Sequence, residues 1–128
     1  MPLQRFVILL AAAFFLLYGF AFSLLPGDMS LLVTGSKPQG ASALVDLRAT
    51  YGGMTISVGA ALIYLHSIRQ IRACLIVIVL VLMSMAITRT FGLLAEGTGN
   101  SFMYLYLALE LLGSVLALLA MRGISSDT

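Results

Sequence analysis

The chain has 128 residues, of which 61% are hydrophobic and only 9% are charged, and its formal net charge is +2. A soluble globular domain carries about 25% charged residues, so this composition excludes that class and is typical of one integral membrane domain, residues 1–128. The basic residues are few and dispersed, which argues against nucleic acid as a partner and leaves the lipid bilayer.

Four apolar blocks follow one another along the chain. Each holds about 20 residues or more, and at a rise of about 1.5 Å per residue such a helix spans the roughly 30 Å hydrocarbon core. None shows the alternation of apolar and polar residues that is typical of transmembrane strands. The sequence therefore predicts an all-α membrane protein with helices at 6–25, 43–65, 73–94 and 102–121.

Polar segments between the blocks predict how the helices are connected. Pro26-Gly27-Asp28 ends the first helix, and the short apolar run 29–33 that follows is expected along the membrane interface. Asn100 or Ser101 can cap the last helix, because a side-chain oxygen there accepts from an unpaired N-terminal amide. The other loops are short, which predicts antiparallel neighbours and an up-down four-helix bundle.

The distribution of basic residues predicts the orientation. Four arginines fall on one side of the predicted bundle and only Lys37 falls on the other; the arginines are Arg5, Arg69, Arg72 and Arg122. By the positive-inside rule both termini are expected in the cytoplasm. A cleaved signal over residues 1–23 is the competing interpretation, but its apolar stretch is too long and cleavage would leave an odd number of spans.

Arg89 and Glu110 each interrupt an apolar block. A charged residue at the centre of a membrane helix costs roughly 2.5 to 3.5 kcal/mol to insert, so each is expected to face a partner or a wet cavity. Both lie in the outer half of antiparallel neighbours, about 8 and 12 Å below the boundary by the helical rise. Their charges are opposite, so the sequence predicts an ion pair.

Further polar residues are expected at the same depth. Tyr106 and Ser114 share a face with Glu110, while Arg48, Tyr51 and Thr55 belong to the second helix. The predicted polar cluster, either ligand-binding or structural, comprises Arg48, Tyr51, Thr55, Arg89, Tyr106 and Glu110. Gly52 and Gly59 in the stripe with Arg48 and Thr55 would leave room for a water or a small ligand.

A second stripe of small residues runs along the second helix at four-residue spacing, through Ala49, Gly53, Ser57 and Ala61. Small residues let helices approach closely in lipid, so packing is the favoured interpretation. Predicted packing positions are Ala49, Gly52, Gly53, Ser57, Gly59 and Gly113.

The presence of only one Cys and one His limits the disulfide, haem and metal chemistry that the chain can support. Cys74 is the only cysteine and His66 the only histidine, which excludes an internal disulfide and two-histidine haem ligation and argues against a metal site. No phosphate-binding glycine loop or nucleophile elbow occurs. We expect no catalytic residues, no metal and no cofactor, and favour a non-enzymatic protein.

The segment 48–53, with the sequence Arg-Ala-Thr-Tyr-Gly-Gly, resembles a bacterial inner-membrane family described as domain of unknown function 4345. Further matching positions are Asp46, Thr88-Arg89, Gly92 and Leu109-Glu110-Leu111, so the resemblance covers nearly the whole chain. It implies a four-helix protein similar in style to DoxX-like proteins, in the bacterial inner membrane, and it implies no activity.

Three functions stay open. The first is a non-enzymatic accessory or interaction protein that binds a membrane-protein partner or forms a homo-oligomer. In the second, Arg48 and Arg89 hold an anionic or carbonyl-bearing small molecule for binding or transport, and Glu110 tunes them. The third is a quinone- or lipid-linked enzyme subunit. The sequence favours them in that order.

Overall fold

The structure, a computed structural model, describes residues 2–124, and every regular element in that range is helical, which confirms the all-α prediction. The elements in chain order are α1 (Pro2–Leu24), α2 (Pro26–Thr34), α3 (Ala41–Leu47), a π-helix (Arg48–Gly53), α4 (Met54–Ser67), α5 (Ile71–Glu96) and α6 (Ser101–Arg122).

Three of the helices in residues 2–124, namely α1, α5 and α6, are long and apolar enough to cross a membrane. Their apolar residues cannot all be covered within one chain of this size. Large apolar side chains are exposed along all three, for example Leu17, Phe91 and Leu112. Length, composition and exposed apolar surface together indicate a membrane protein.

The predicted helix 43–65 lies in a helical stretch that contains a π-helix between two α-helices. Here α3, the π-helix and α4 follow without a break, since Leu47 and Gly53 at the two junctions keep right-handed helical dihedral angles. In the π-helix each backbone N–H donates to the carbonyl five residues earlier rather than four, as in the bond from the Met54 N–H to the Ala49 carbonyl. The apolar pattern gave no indication of this wider turn.

The short helix α2 lies in the first loop, between α1 and α3, and contacts both of these helices and α6. It begins with Pro26 at a first-turn position and ends at Gly35, whose φ of 77° is a left-handed conformation that glycine adopts without strain. The Asn100 amide donates to the Val33 carbonyl at 2.9 Å, which ties α2 to the start of α6. The Asn100 side chain also accepts from the Met103 N–H at 3.2 Å, so the predicted cap of α6 is confirmed.

The long elements pack in two close pairs. α1 lies along α4 and the π-helix, and α5 lies along α6, while α1 also contacts α5 and α6 and α4 contacts α5. The buried apolar core lies towards the start of α1 and the end of α6, and it includes Ile8, Ala12, Leu62, Leu75, Ile78 and Ala117. The buried charged group lies in the other half.

Glycines permit the close approach of α1 to its partner. A Cβ atom at Gly59 would lie 2.7 Å from Leu16 Cγ, and one at Gly19 would lie 2.6 Å from Thr55 Oγ1. At Gly52 a Cβ atom would overlap the Ser23 hydroxyl. The backbones can touch here only because these side chains are absent, as in small-residue contacts between membrane helices.

Candidate functional site

Arg89 and Glu110 form an ion pair between α5 and α6, which confirms the predicted pairing. Arg89 Nη2 donates to Glu110 Oε1 at 2.6 Å, and Nε lies 3.1 and 3.0 Å from the two carboxylate oxygens. A guanidinium that donates from two nitrogens fixes the orientation of the carboxylate as well as its distance. The pair therefore joins two helices at one defined register.

The ion pair is largely buried. The side chain of Glu110 is 5% exposed and that of Arg89 is 17% exposed. By the helical rise, each residue lies roughly 10 to 14 Å from the end of its helix at the α5–α6 turn. Attraction between the charges is strong in such a medium, but the loss of hydration of both ions offsets much of it, and removing one partner leaves an uncompensated charge.

Neighbouring side chains hold the Arg89 guanidinium in place. Its Nη1 approaches Met103 Sδ at 3.4 Å, and its central carbon lies 5.3 Å from the centre of the Tyr106 ring. A cation above an aromatic face is stabilised by the electron density of the ring. The Ser114 hydroxyl, predicted beside Glu110, instead donates to the Glu110 backbone carbonyl at 2.8 Å and does not serve the carboxylate.

A row of aromatic rings leads from the ion pair to the π-helix. The Tyr106 ring centre lies 6.2 Å from that of Tyr18, the Tyr18 and Phe22 centres are 4.9 Å apart, and Phe22 stacks on Tyr51 at 5.1 Å. Tyr18 is a part of this row that the sequence did not predict, because its position on α1 indicates only packing within that helix. The row puts Tyr51 and Tyr106 at opposite ends.

Arg48 and Thr55 make their contacts at the π-helix. Arg48 Nε donates to the Ser23 carbonyl at 3.1 Å, near the end of α1. The Thr55 hydroxyl donates to the carbonyls of Tyr51 and Gly52, at 3.0 Å for the latter. The predicted polar cluster thus consists of two groups: Arg89, Glu110 and Tyr106 between α5 and α6, and Arg48, Tyr51 and Thr55 beside α1.

The predicted packing positions also separate into two sets. Gly52 and Gly59 are buried against α1, and a Cβ atom at Gly113 would lie 2.6 Å from Leu82 Cδ1 of α5. The space beside Gly52 and Gly59, which was predicted to hold a water or small ligand, is filled by α1 side chains. All four positions of the other stripe face outwards and are exposed, namely Ala49, Gly53, Ser57 and Ala61.

A mixed polar and apolar pocket opens where α1 meets α2. Its volume is about 210 Å³, and we call it the α1–α2 pocket. The residues that line it come from both helices, the first loop, α3 and the π-helix: Leu24, Leu25, Pro26, Gly27, Asp28, Lys37, Leu44 and Arg48. Lys37 Nζ forms an ion pair with Asp28 Oδ1 at 2.6 Å on its rim.

Within residues 2–124, no three His, Cys, Asp or Glu side chains come together as a metal site would require. The sole cysteine, Cys74, is buried and directs its thiol towards the Leu62 carbonyl at 3.7 Å.

One comparison with known proteins found a matching family model. A family model described as "Domain of unknown function (DUF4345)" matches residues 3–121, nearly the whole chain. No curated protein and no solved structure matches.

Proposed function

Because the chain belongs to the DUF4345 family, whose description assigns no activity, we propose its function from the geometry. The proposal is a non-enzymatic accessory or interaction protein of the bacterial inner membrane. In it, the Arg89–Glu110 pair fixes the helices in one arrangement, and the exposed apolar faces meet a partner helix in the lipid.

The proposed topology has four crossings, with both termini in the cytoplasm. α1, α5 and α6 supply three of them, and the continuous helical stretch 41–67 supplies the fourth. This stretch is longer than the roughly 20 residues that a span needs. The excess of arginine at the end that holds Arg5, Arg69 and Arg122 supports the orientation.

We favour a structural role over a transport role for Glu110 because of its ion pair with Arg89. A carboxylate that exchanges protons or cations must be open to water during its cycle. Glu110 is 4% exposed, and both of its oxygens accept from Arg89. This arrangement favours a carboxylate that holds α5 to α6 over one that exchanges protons or cations.

The outward-facing stripe of Ala49, Gly53 and Ser57 supports an interaction role. Spacing of this kind lets a second helix approach to backbone contact in lipid, where no hydrophobic force drives association. A Cβ atom at Gly53 would have only the Arg48 carbonyl as a neighbour, at 3.8 Å, so the surface there is open. The partner helix belongs either to a second copy or to another membrane protein.

Native mass spectrometry after mild extraction tests this role. We expect the wild-type protein as a complex, either of two copies or with one fixed partner, and the Gly53→Leu variant as a single chain, because Leu would keep the helices apart. Gly92→Leu is the matched control, since Gly92 on α5 also faces open space. A wild-type protein that is recovered only as a single chain, or equal loss of the complex in both variants, would contradict the proposal.

Joint capture of one ligand by Arg48 and Arg89 receives less support. Arg89 donates to Glu110 from two nitrogens, whereas Arg48 is anchored to α1 by Ser23. Tyr18 and Phe22 lie along the row of rings that separates the two groups.

A further inference from the structure

Three tyrosine side chains come together towards the end of the molecule that holds the first loop. The groups that face the Tyr18 hydroxyl are Tyr106, Tyr51 and Arg89, and Tyr106 is within hydrogen-bond reach of it. Phe22 lies between two of the tyrosines, since its ring centre is 4.9 Å from that of Tyr18 and 5.1 Å from that of Tyr51. We call Tyr18, Tyr51 and Tyr106 the three-tyrosine site.

The hydroxyls of this site are donors that the backbone does not use. On α5 the Ser and Thr hydroxyls all donate to carbonyls of their own helix, as Thr90 does to Ala86 at 2.7 Å. A tyrosine hydroxyl stands too far from its own backbone for such a bond, and within residues 2–124 no backbone carbonyl accepts from the three tyrosines. Because a hydroxyl without an acceptor is costly in hydrocarbon, these groups require another acceptor.

The charged groups beside the site determine which kind of acceptor fits. Both oxygens of the Glu110 carboxylate already accept from Arg89, and the two charges cancel. The remaining terminal nitrogen of Arg89, Nη1, has the Met103 sulfur as its partner at 3.4 Å, and a thioether is a weak acceptor. The site therefore has an excess of donors without an excess of charge. A neutral molecule that carries carbonyl oxygens complements it.

The position of the site restricts the ligand to a lipid-soluble one. Tyr18 lies six residues before the end of α1, which puts it about 9 Å inside the helix by the helical rise. Tyr51 is 50% exposed, and Met54, one turn further on, is 62% exposed. Since α1 is long and apolar enough to cross a membrane, this exposed side meets lipid, and a molecule dissolved in lipid can reach it.

The spacing of the tyrosines indicates the shape of the ligand. Tyr18 and Tyr51 lie on either side of one aromatic ring, that of Phe22. Two donors separated by one ring match two acceptors at opposite ends of a ring, and a planar ring packs well on aromatic side chains. Tyr106 makes Tyr18 a better donor when it donates to it, because hydrogen bonds in a chain polarise one another.

We propose that the three-tyrosine site binds the head group of a para-quinone, with one carbonyl accepting from Tyr18 and the other from Tyr51. The isoprenoid chain of the quinone lies in the lipid along the exposed apolar faces. A fatty acyl ester offers the same carbonyl chemistry, but at one end only. This binding goes beyond the interaction role and does not depend on it.

Quinone binding by the extracted full-length protein tests the proposal. A short-chain ubiquinone and the dimethyl ether of its hydroquinone are titrated separately, and the apparent Kd of each is measured by native mass spectrometry. We expect the quinone to bind more tightly, because the ether has no carbonyl oxygen. Tyr18→Phe and Tyr51→Phe are each expected to weaken quinone binding by about threefold to tenfold, because each removes one neutral hydrogen bond.

Tyr64→Phe is the matched control. It removes the hydroxyl of an exposed tyrosine near the other end of α4 and is expected to leave quinone binding unchanged. Phe keeps each aromatic ring, so the packing of the row is preserved in all three variants. Equal affinity of the wild type for quinone and ether, unchanged binding in either Tyr18→Phe or Tyr51→Phe, or an equal loss in Tyr64→Phe would overturn the proposal.

A methyl ester with the same isoprenoid chain distinguishes the two sources of carbonyl. We expect the ester to bind more weakly than the quinone and to depend on only one of the two hydroxyls, because a single carbonyl cannot reach both. An ester that binds as tightly as the quinone would identify an acyl ester as the ligand and overturn the assignment of a quinone.

Discussion

Glu110 shows how far a single residue could be predicted from the sequence. A carboxylate within an apolar block needs a partner, and Arg89 is the oppositely charged residue at a matching depth on the neighbouring helix. The structure places them at 2.6 Å. Asn100 was predictable for a similar reason, because a cap requires a side-chain oxygen at the first residue before the helix.

Contacts between helices that are distant in sequence could not be predicted in the same way. Tyr18 meets Tyr106, and Arg48 meets the carbonyl of Ser23, because α1 lies against both α6 and the π-helix. These contacts depend on how the helices are rotated about their axes, which the apolar pattern of a membrane helix does not specify when lipid accepts every face.

A single added methyl group at Gly52 is expected to destabilise the protein. Gly52→Ala is expected to lower the free energy of unfolding by about 1 to 3 kcal/mol, because the new methyl would overlap Ser23 and push α1 away. The measurement is unfolding in mixed micelles as the share of denaturing detergent rises.

Gly53→Ala is the matched control for this change. Its Cβ atom has only the Arg48 carbonyl as a neighbour, at 3.8 Å, and alanine favours helix, so stability is expected to stay within about 1 kcal/mol of the wild type. Equal destabilisation by both alanines would contradict the prediction, because it would show that the contact with α1 does not govern the effect.

At the scale of the elements, the π-helix is the main feature that sequence reasoning missed. It occupies Arg48–Gly53, the six residues whose sequence resembles the DUF4345 family. An apolar run of this length indicates a helix but not the size of each turn, because lipid-facing residues keep no strict period. Within it, Gly52 is buried against α1 and Gly53 faces outwards.

The stripes of small residues illustrate the same limit. Sequence spacing predicted both, and packing was favoured for the stripe through Gly53 and Ser57. In the structure the other stripe, with Gly52 and Gly59, makes the close contact within the chain. Period alone identifies a face that can approach another helix, but it does not say which helix.

In the part of the chain that the structure describes, the buried charged groups and the apolar core lie towards opposite ends of the helices. The ion pair, the aromatic row and the α1–α2 pocket all lie towards the end that holds the first loop, whereas the core around Leu62 and Leu75 is apolar. This division was predictable from the sequence, because antiparallel helices bring Arg48, Arg89 and Glu110 to the same side of the predicted bundle.

The number of crossings is tested by labelling single cysteines in intact cells with a maleimide that does not cross membranes. Ser36→Cys and Thr98→Cys are expected to react from outside, and Gln70→Cys only after lysis, because the stretch 41–67 separates the first two loops. Cys74 is buried and gives little background. Reaction of Ser36→Cys and Gln70→Cys from the same side would show that this stretch does not cross.

A double-mutant cycle on Arg89 and Glu110 tests the central claim, that this pair fixes α5 to α6 inside an apolar bundle. Arg89→Leu and Glu110→Leu are each expected to lower the free energy of unfolding by about 3 to 5 kcal/mol, because each leaves one buried charge without a partner. The double variant is expected to lose less than the sum of the two, by well over 1 kcal/mol. The exposed Lys37–Asp28 pair, replaced by Gln and Asn in the same cycle, is expected to show a coupling of about 1 kcal/mol or less. Additive losses at Arg89 and Glu110, with coupling no larger than at the exposed pair, would contradict the account.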